Sequence, residues 1–153
     1  MVHERMLVKA ITMAASGHCG QVDRGGKPYI FHPLRVMMKG KTWDERMVGV
    51  MHDLLEDTPT TVEDLEDACF SDEVIEAVIA LTHDTEKETY PEFIDRVIDA
   101  GILAIKVKMY DMEDNLSEDR MSYLPEEEQK RLHEKYDLQY VKLKNALQWG
   151  VIK

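Results

Sequence analysis

The run Met51-His52-Asp53-Leu54-Leu55-Glu56-Asp57-Thr58 sets four ionisable side chains in an otherwise apolar segment. Charge in a segment that should be buried needs a partner or a task. Adjacent His and Asp can present an imidazole nitrogen beside a carboxylate oxygen, and such a mixed donor set suits Mn2+, Fe2+ or Zn2+. On a helix, residues four apart share a face, so His52 is expected over Glu56 and Asp53 over Asp57. The bland alternative is a solvated helix end. Acidic residues at a C-terminus oppose the macrodipole, which weighs against it. The dipeptide alone says little, because His83-Asp84 repeats it in the same chain without any accompanying pattern. Two other segments give it weight: Tyr29-Ile30-Phe31-His32-Pro33 brings a second histidine, and Lys108-Met109-Tyr110-Asp111-Met112-Glu113-Asp114-Asn115 a second carboxylate.

Helices must position these residues. Positions 3 to 17 carry Met6, Leu7, Ala10, Ile11, Met13 and Ala14 at three- and four-residue spacings, as an amphipathic helix does. Asp23-Arg24-Gly25-Gly26-Lys27-Pro28 then reads as a turn-rich loop. A short helix is expected after Pro33. A longer one is expected from about Asp44, burying Met47, Val48, Met51, Leu54 and Leu55 and stopping at Pro59. Thr60 with Glu63 reads as a capping box for a helix to about Phe70, and Ser71 as the cap of the next, to about Leu81. Thr89 with Glu92, and Pro91 in the first turn, open another to about Ala100. Ile102 to Leu116 is too long for an ordinary strand, and Leu124-Pro125 starts a long charged final helix whose first turn is acidic. About seven helices and no strand predict an all-α, single-domain bundle over residues 1–153.

Composition narrows the function. A chain of 153 residues can enclose a hydrophobic core as one domain. With 44% apolar and 32% charged residues it has enough to bury, and disorder is excluded. Its longest apolar stretches, such as Val74 to Leu81, stop well short of the ~20 residues of a membrane span. The N-terminus lacks the pattern of a secretory signal, so a cytoplasmic location is expected. Cys19 and Cys69 are expected to be free, buried thiols. The net charge of -11 argues against nucleic-acid polymers and anionic lipid, which reward Lys and Arg. A small anionic ligand fits if cations gather locally or a divalent metal supplies the charge.

Taken in order, Ala15-Ser16-Gly17-His18-Cys19-Gly20-Gln21, Gly26-Lys27-Pro28-Tyr29-Ile30-Phe31-His32-Pro33, His52-Asp53-Leu54-Leu55-Glu56-Asp57-Thr58 and Lys108 to Asn115 resemble the HD superfamily. Within it the chain is similar to the hydrolase domain of the RelA/SpoT family, above all its short stand-alone hydrolases. Most of the chain is covered, and the ordered set is far more specific than a lone His-Asp pair. The resemblance implies that His32, His52, Asp53 and Asp111 ligate a single divalent metal, usually Mn2+ in this family, with Fe2+ or Zn2+ as substitutes. It makes Glu56 and Asp57 the acidic pair that activates water, with Asn115 beside that water. Lys108 falls on a lysine of the same signature. The activity implied is removal of the 3′-pyrophosphate from guanosine tetra- or pentaphosphate, leaving GDP or GTP. No segment matches the synthetase domain of long family members. The expected partner is a small phosphorylated nucleotide, and self-association is left open.

Two positions depart from the family pattern. Where relatives carry Arg-Lys around the base, this chain has Gln21-Val22-Asp23-Arg24, and an aspartate cannot stack on guanine as a guanidinium can. Leu81-Thr82-His83 stands where relatives often have Val-Thr-Lys. The rival readings are therefore an HD phosphohydrolase acting on NADPH or another nucleotide, and a sensing module that binds without turnover. The retained Glu56, Asp57 and Asn115 disfavour the sensing module, since binding alone needs no water-activating set. Arg24, Lys27 and Arg35 cluster near His32 and are candidate phosphate contacts. His18 is expected to support the site or the core rather than to ligate.

Overall fold

Five buried residues in succession, Met47 to Met51, mark the centre of the molecule, because a helix buried on every side has no solvent face to leave polar. They belong to α3 (Trp43–Met51), and in a computed structural model that describes residues 1–150 this helix packs against α1 (Val2–Gly17), α2 (Phe31–Lys39), α6 (Asp72–Ala80) and α8 (Ile102–Asn115). Gly49 lets α2 approach closely: a β-carbon there would lie 3.2 Å from the Met37 backbone. The other helices are α4 (Leu54–Asp57), α5 (Val62–Asp67), α7 (Tyr90–Ala100), α9 (Glu118–Met121) and α10 (Glu126–Asn145), with a π-helical turn at Ala146–Gly150. The described residues contain no strand; Val22 and Pro28 form one isolated antiparallel bridge that pins the loop before α2. None of the described helices is long and apolar enough to cross a membrane.

The all-α expectation holds, and several boundaries move. Ser71 caps α6, and Thr89 with Glu92 forms the reciprocal box that opens α7. The box of α5, however, is Thr61 with Asp64, one residue later than expected, because the Thr60 hydroxyl is paired with that of Thr58 at 2.9 Å in the Pro59 turn. α2 begins ahead of Pro33, which tolerates the first turn because its missing N–H is unneeded there. The expected continuous helix from Asp44 to Pro59 is broken at His52 and Asp53, and α9 lies in a stretch where no helix was expected. Cys19 and Cys69 are free, as expected, but both are exposed rather than buried.

Glu45 joins α3 to α8 from inside the core. It is 3% exposed, accepts the Tyr110 hydroxyl at 2.5 Å and the Lys41 backbone N–H at 3.4 Å. Burial disfavours its charge, but these donors and Thr42 prevail and hold its pKa below the ordinary 4.5. Glu45→Ala should cost about 1–3 kcal/mol, since Tyr110 then loses its acceptor. A lowered folded pKa means the contribution is complete above the unfolded value and fades as pH falls through the folded one. The stability gap between wild type and Glu45→Gln in urea unfolding should therefore shrink between pH 7 and pH 3 (roughly, bracketing the carboxylate range). A gap that stays constant would exclude the charged form as the one that matters.

Candidate metal and active site

Three parts of the fold converge on one point. His32 projects from the first turn of α2, His52 and Asp53 from the kink between α3 and α4, and Asp111 from the middle of α8. Consecutive side chains of a regular helix diverge. At the kink they converge, and His52 Nε2 lies 3.1 Å from Asp53 Oδ2. Asp111 Oδ1 is 2.9 Å from His32 Nε2 and 3.2 Å from His52 Nε2. Ligand atoms of His32, His52 and Asp53 all lie within 4.8 Å of one another, as do those of Asp53, Glu56 and Asp57.

The outer partners fix what the inner atoms are. His32 Nδ1–H donates to Asp114 Oδ2 at 2.6 Å, and His52 Nδ1–H donates to the Gly49 carbonyl at 2.6 Å. In the neutral ring both Nε2 atoms are then lone pairs aimed at carboxylate oxygens. Acceptors that face acceptors in a buried cluster need a cation between them, either a proton or a metal. Although burial opposes a charged ring, Asp53 and Asp111 outweigh it and drive the His52 pKa well above its usual value. The donor set therefore fits a divalent ion. Each carboxylate also has donors of its own: Tyr29 donates its hydroxyl to Asp53 Oδ2 at 2.5 Å, while Lys108 Nζ and Asn115 Nδ2 donate to Asp111 Oδ2 and Oδ1 at 2.8 and 3.2 Å. Such orienting partners are the usual company of metal-binding imidazoles and carboxylates.

A cavity of about 210 Å³ opens over this cluster, walled in part by Tyr29, Glu56, Asp57, His83 and Lys108. Glu56 stands at its mouth, with Oε1 accepting the His83 backbone N–H at 2.6 Å. Partial withdrawal from water, then the Asp53 and Asp57 charges, raise its pKa even against that hydrogen bond. Asp57 is pushed up to about 6 by the same withdrawal and by Asp53. A second cavity of about 380 Å³ adjoins the first and shares Asn115, Arg120, Lys135 and Tyr136 with it. It is the larger of the two, but His32, His52, Asp53 and Asp111 line only the smaller.

The fold thus brings together His32, His52, Asp53, Glu56, Asp57, Lys108, Asp111 and Asn115. Arg24 lines the second cavity instead, paired with Glu128. Lys27 lines neither; its ammonium sits 4.5 Å over the Tyr123 ring. Arg35 is committed to Asp114, through Nε at 2.7 Å and Nη2 at 3.1 Å. Asp23 spends Oδ1 on the backbone N–H groups of Gly25 and Lys27, so the residue in the family's cation position builds the loop. His18 is buried, donates Nδ1–H to Gln21 at 2.7 Å and packs on Tyr29, a supporting place. Sequence reasoning did not single out Tyr29, Asp114, Arg120 or Lys135. Asp114 stands three positions from Asp111 on one helix, the one signal available for it; Tyr29 lies in the turn ahead of α2, where no periodicity marks it.

No protein-family model matches the chain. The GTP pyrophosphokinase of Myxococcus xanthus is 31% identical to it over 97% of this chain and 21% of that protein. The bifunctional (p)ppGpp synthase/hydrolase SpoT of Escherichia coli K12 is 31% identical over 72% of this chain and 17% of that protein. The guanosine-3′,5′-bis(diphosphate) 3′-pyrophosphohydrolase of Borreliella burgdorferi is 28% identical, over 84% and 21% respectively. The chain spans 12% to 21% of the length of these first curated relatives. Among solved structures, that of a metazoan ortholog of SpoT that hydrolyses ppGpp superposes with a TM-score of 0.75 at 22% identity, covering 96% of this chain and 88% of the other. With its all-helical HD-type fold and this sequence kinship, the chain belongs to the RelA/SpoT-like HD family.

Proposed function

We propose that residues 1–153 act as one metal-dependent phosphohydrolase domain that removes the 3′-pyrophosphate from guanosine tetra- or pentaphosphate-like nucleotides. The observation that supports this reading most is the pair of imidazole lone pairs and two carboxylates converging beneath a cavity whose mouth carries Glu56 and Asp57. His32, His52, Asp53 and Asp111 would hold the ion, Mn2+ before Fe2+ or Zn2+. When bound, the ion supplies positive charge opposite the phosphate oxygens and acidifies water.

The remaining residues divide the work. Glu56, fixed by the His83 N–H, takes the proton of the attacking water while Asp57 shares its orientation. Asn115, four residues beyond Asp111, positions that water. Water oxygen bonds to the 3′-linked phosphorus, the bond from phosphorus to the nucleoside 3′-oxygen breaks, and that oxygen takes a proton as pyrophosphate leaves. Lys108, paired with Asp111 at the cavity wall, holds that carboxylate in place and adds positive potential to the cavity rather than a direct phosphate contact. A net charge of -11 supports a small nucleotide over a nucleic-acid polymer as partner, and a freely diffusing nucleotide substrate suits a cytoplasmic site of action.

The Mn2+-loaded chain should release pyrophosphate and GDP from guanosine 3′,5′-bis(diphosphate). NADPH and a 3′-nucleoside monophosphate complete the panel, with pyrophosphate and orthophosphate measured separately. Orthophosphate from NADPH alone would replace this reading with the NADPH phosphatase. Silence across the panel in metal-loaded protein would leave only binding.

A further inference from the structure

We propose that Arg120 and Lys135 form an anion subsite at the junction of the two cavities that holds a phosphate of the nucleotide other than the one being attacked, which makes multiply phosphorylated nucleotides the preferred substrate class. The assignment rests on the hydrolase reading above. Arg120, on α9, and Lys135, on α10, line both cavities. Neither has a carboxylate within 4 Å among the described residues, although acids outnumber bases by 11 in this chain. The neighbouring cations are committed: Arg24 and Arg131 share Glu128, Lys108 faces Asp111 and Arg35 faces Asp114.

Arg120 also keeps a buried guanidinium nitrogen, Nη1, without a hydrogen-bond partner. A buried donor left unpaired is costly, and a planar guanidinium matches phosphate oxygens in pairs. Its Cζ sits 5.7 Å over the Tyr29 ring, whose hydroxyl holds Asp53, so the subsite and the reacting centre share a wall. Lys135 lies 4.5 Å from the Tyr90 ring centroid, and burial followed by the charge of Lys108 lowers its pKa. An anion between Arg120 and Lys135 meets two cavity-lining cations that no carboxylate pairs and relieves the crowding of like charge.

The test uses the Mn2+-loaded full chain. Arg120→Met and Lys135→Met should each raise KM for guanosine 3′,5′-bis(diphosphate) about 10-fold or more, with a smaller change in kcat. Calorimetric affinity for inorganic pyrophosphate should fall by a similar factor, while affinity for guanosine 3′-monophosphate stays within about 2-fold, below what one charged hydrogen bond contributes. Arg120→Lys should recover part of the loss, and Lys144→Met, a substitution remote from both cavities, should change nothing. Guanosine 3′-diphosphate and guanosine 5′-diphosphate 3′-monophosphate then tell which phosphate is held, because only the one with a phosphate in the subsite stays sensitive to Arg120. Equal losses for the monophosphate, or variants matching wild type in KM and pyrophosphate affinity, would overturn the subsite. A wild type that turns over nothing, yet binds pyrophosphate through Arg120 and Lys135, would overturn the hydrolase reading and leave the subsite standing.

Discussion

Glu56→Gln is expected to keep the metal and lose about 10²-fold or more of maximal turnover, with substrate affinity changed much less. The amide preserves size, and its carbonyl can still accept the His83 N–H that Glu56 Oε1 accepts at 2.6 Å. What disappears is the basic oxygen. The raised pKa of Glu56, set first by its withdrawal from water, makes the carboxylate a stronger base than an ordinary glutamate. Asn115→Ala should be milder, because that side chain orients water without taking a proton. Metal content, affinity and turnover measured on each variant separate the roles. Near wild-type turnover in Glu56→Gln would move the base to Asp57, which stands at the same mouth with its pKa up at about 6.

His52→Ala should lower metal affinity by more than about 10²-fold, and turnover with it. Losing a partner that merely orients a ligand typically costs ~10–100-fold, so losing a ligand costs more. Asp114→Asn supplies the comparison. Its carboxylate orients His32 through Nδ1 and is itself clamped by Arg35, so the amide should weaken the metal only ~10–100-fold. Metal titration and metal content per chain report both effects. If His52→Ala binds Mn2+ as tightly as wild type, the ion is held elsewhere, and the Asp53, Glu56 and Asp57 group becomes the site.

Much of this molecule could be read from the chain alone because the informative signals are local. Ser71 and Thr89 cap the helices they were expected to cap, since a cap is decided by a side chain and an N–H three residues on. The Thr60 box failed because a competing local bond won: in the Pro59 turn its hydroxyl accepts from Thr58, and Thr61 caps the helix instead. The break at His52 and Asp53 was invisible because the apolar spacing runs through it unbroken. Exposure of Cys19 and Cys69 was likewise not written in residue type, as free cysteines are more often buried.

By itself the sequence determined the helical class, because hydrophobic spacing is local, while its resemblance to the RelA/SpoT family named the four ligand candidates and the acidic pair beside them. Only the tertiary structure decided how these groups are supported. Glu113 and Asp114 are adjacent acids on one helix, and nothing in the chain separates them; packing buries Asp114 between His32 and Arg35 and leaves Glu113 toward Lys39 and Tyr140 at the surface. Among the cations, Arg24, Lys27 and Arg35 are near His32 in sequence, yet Glu128, the Tyr123 ring and Asp114 occupy them. Arg120 and Lys135 lie more than 80 positions from His32 and reach its cavity because α9 and α10 fold back over α8. Partner choice across such distances is set by which helices pack together, so a charge that stays free for a phosphate can be recognised only once every other charge has found its pair.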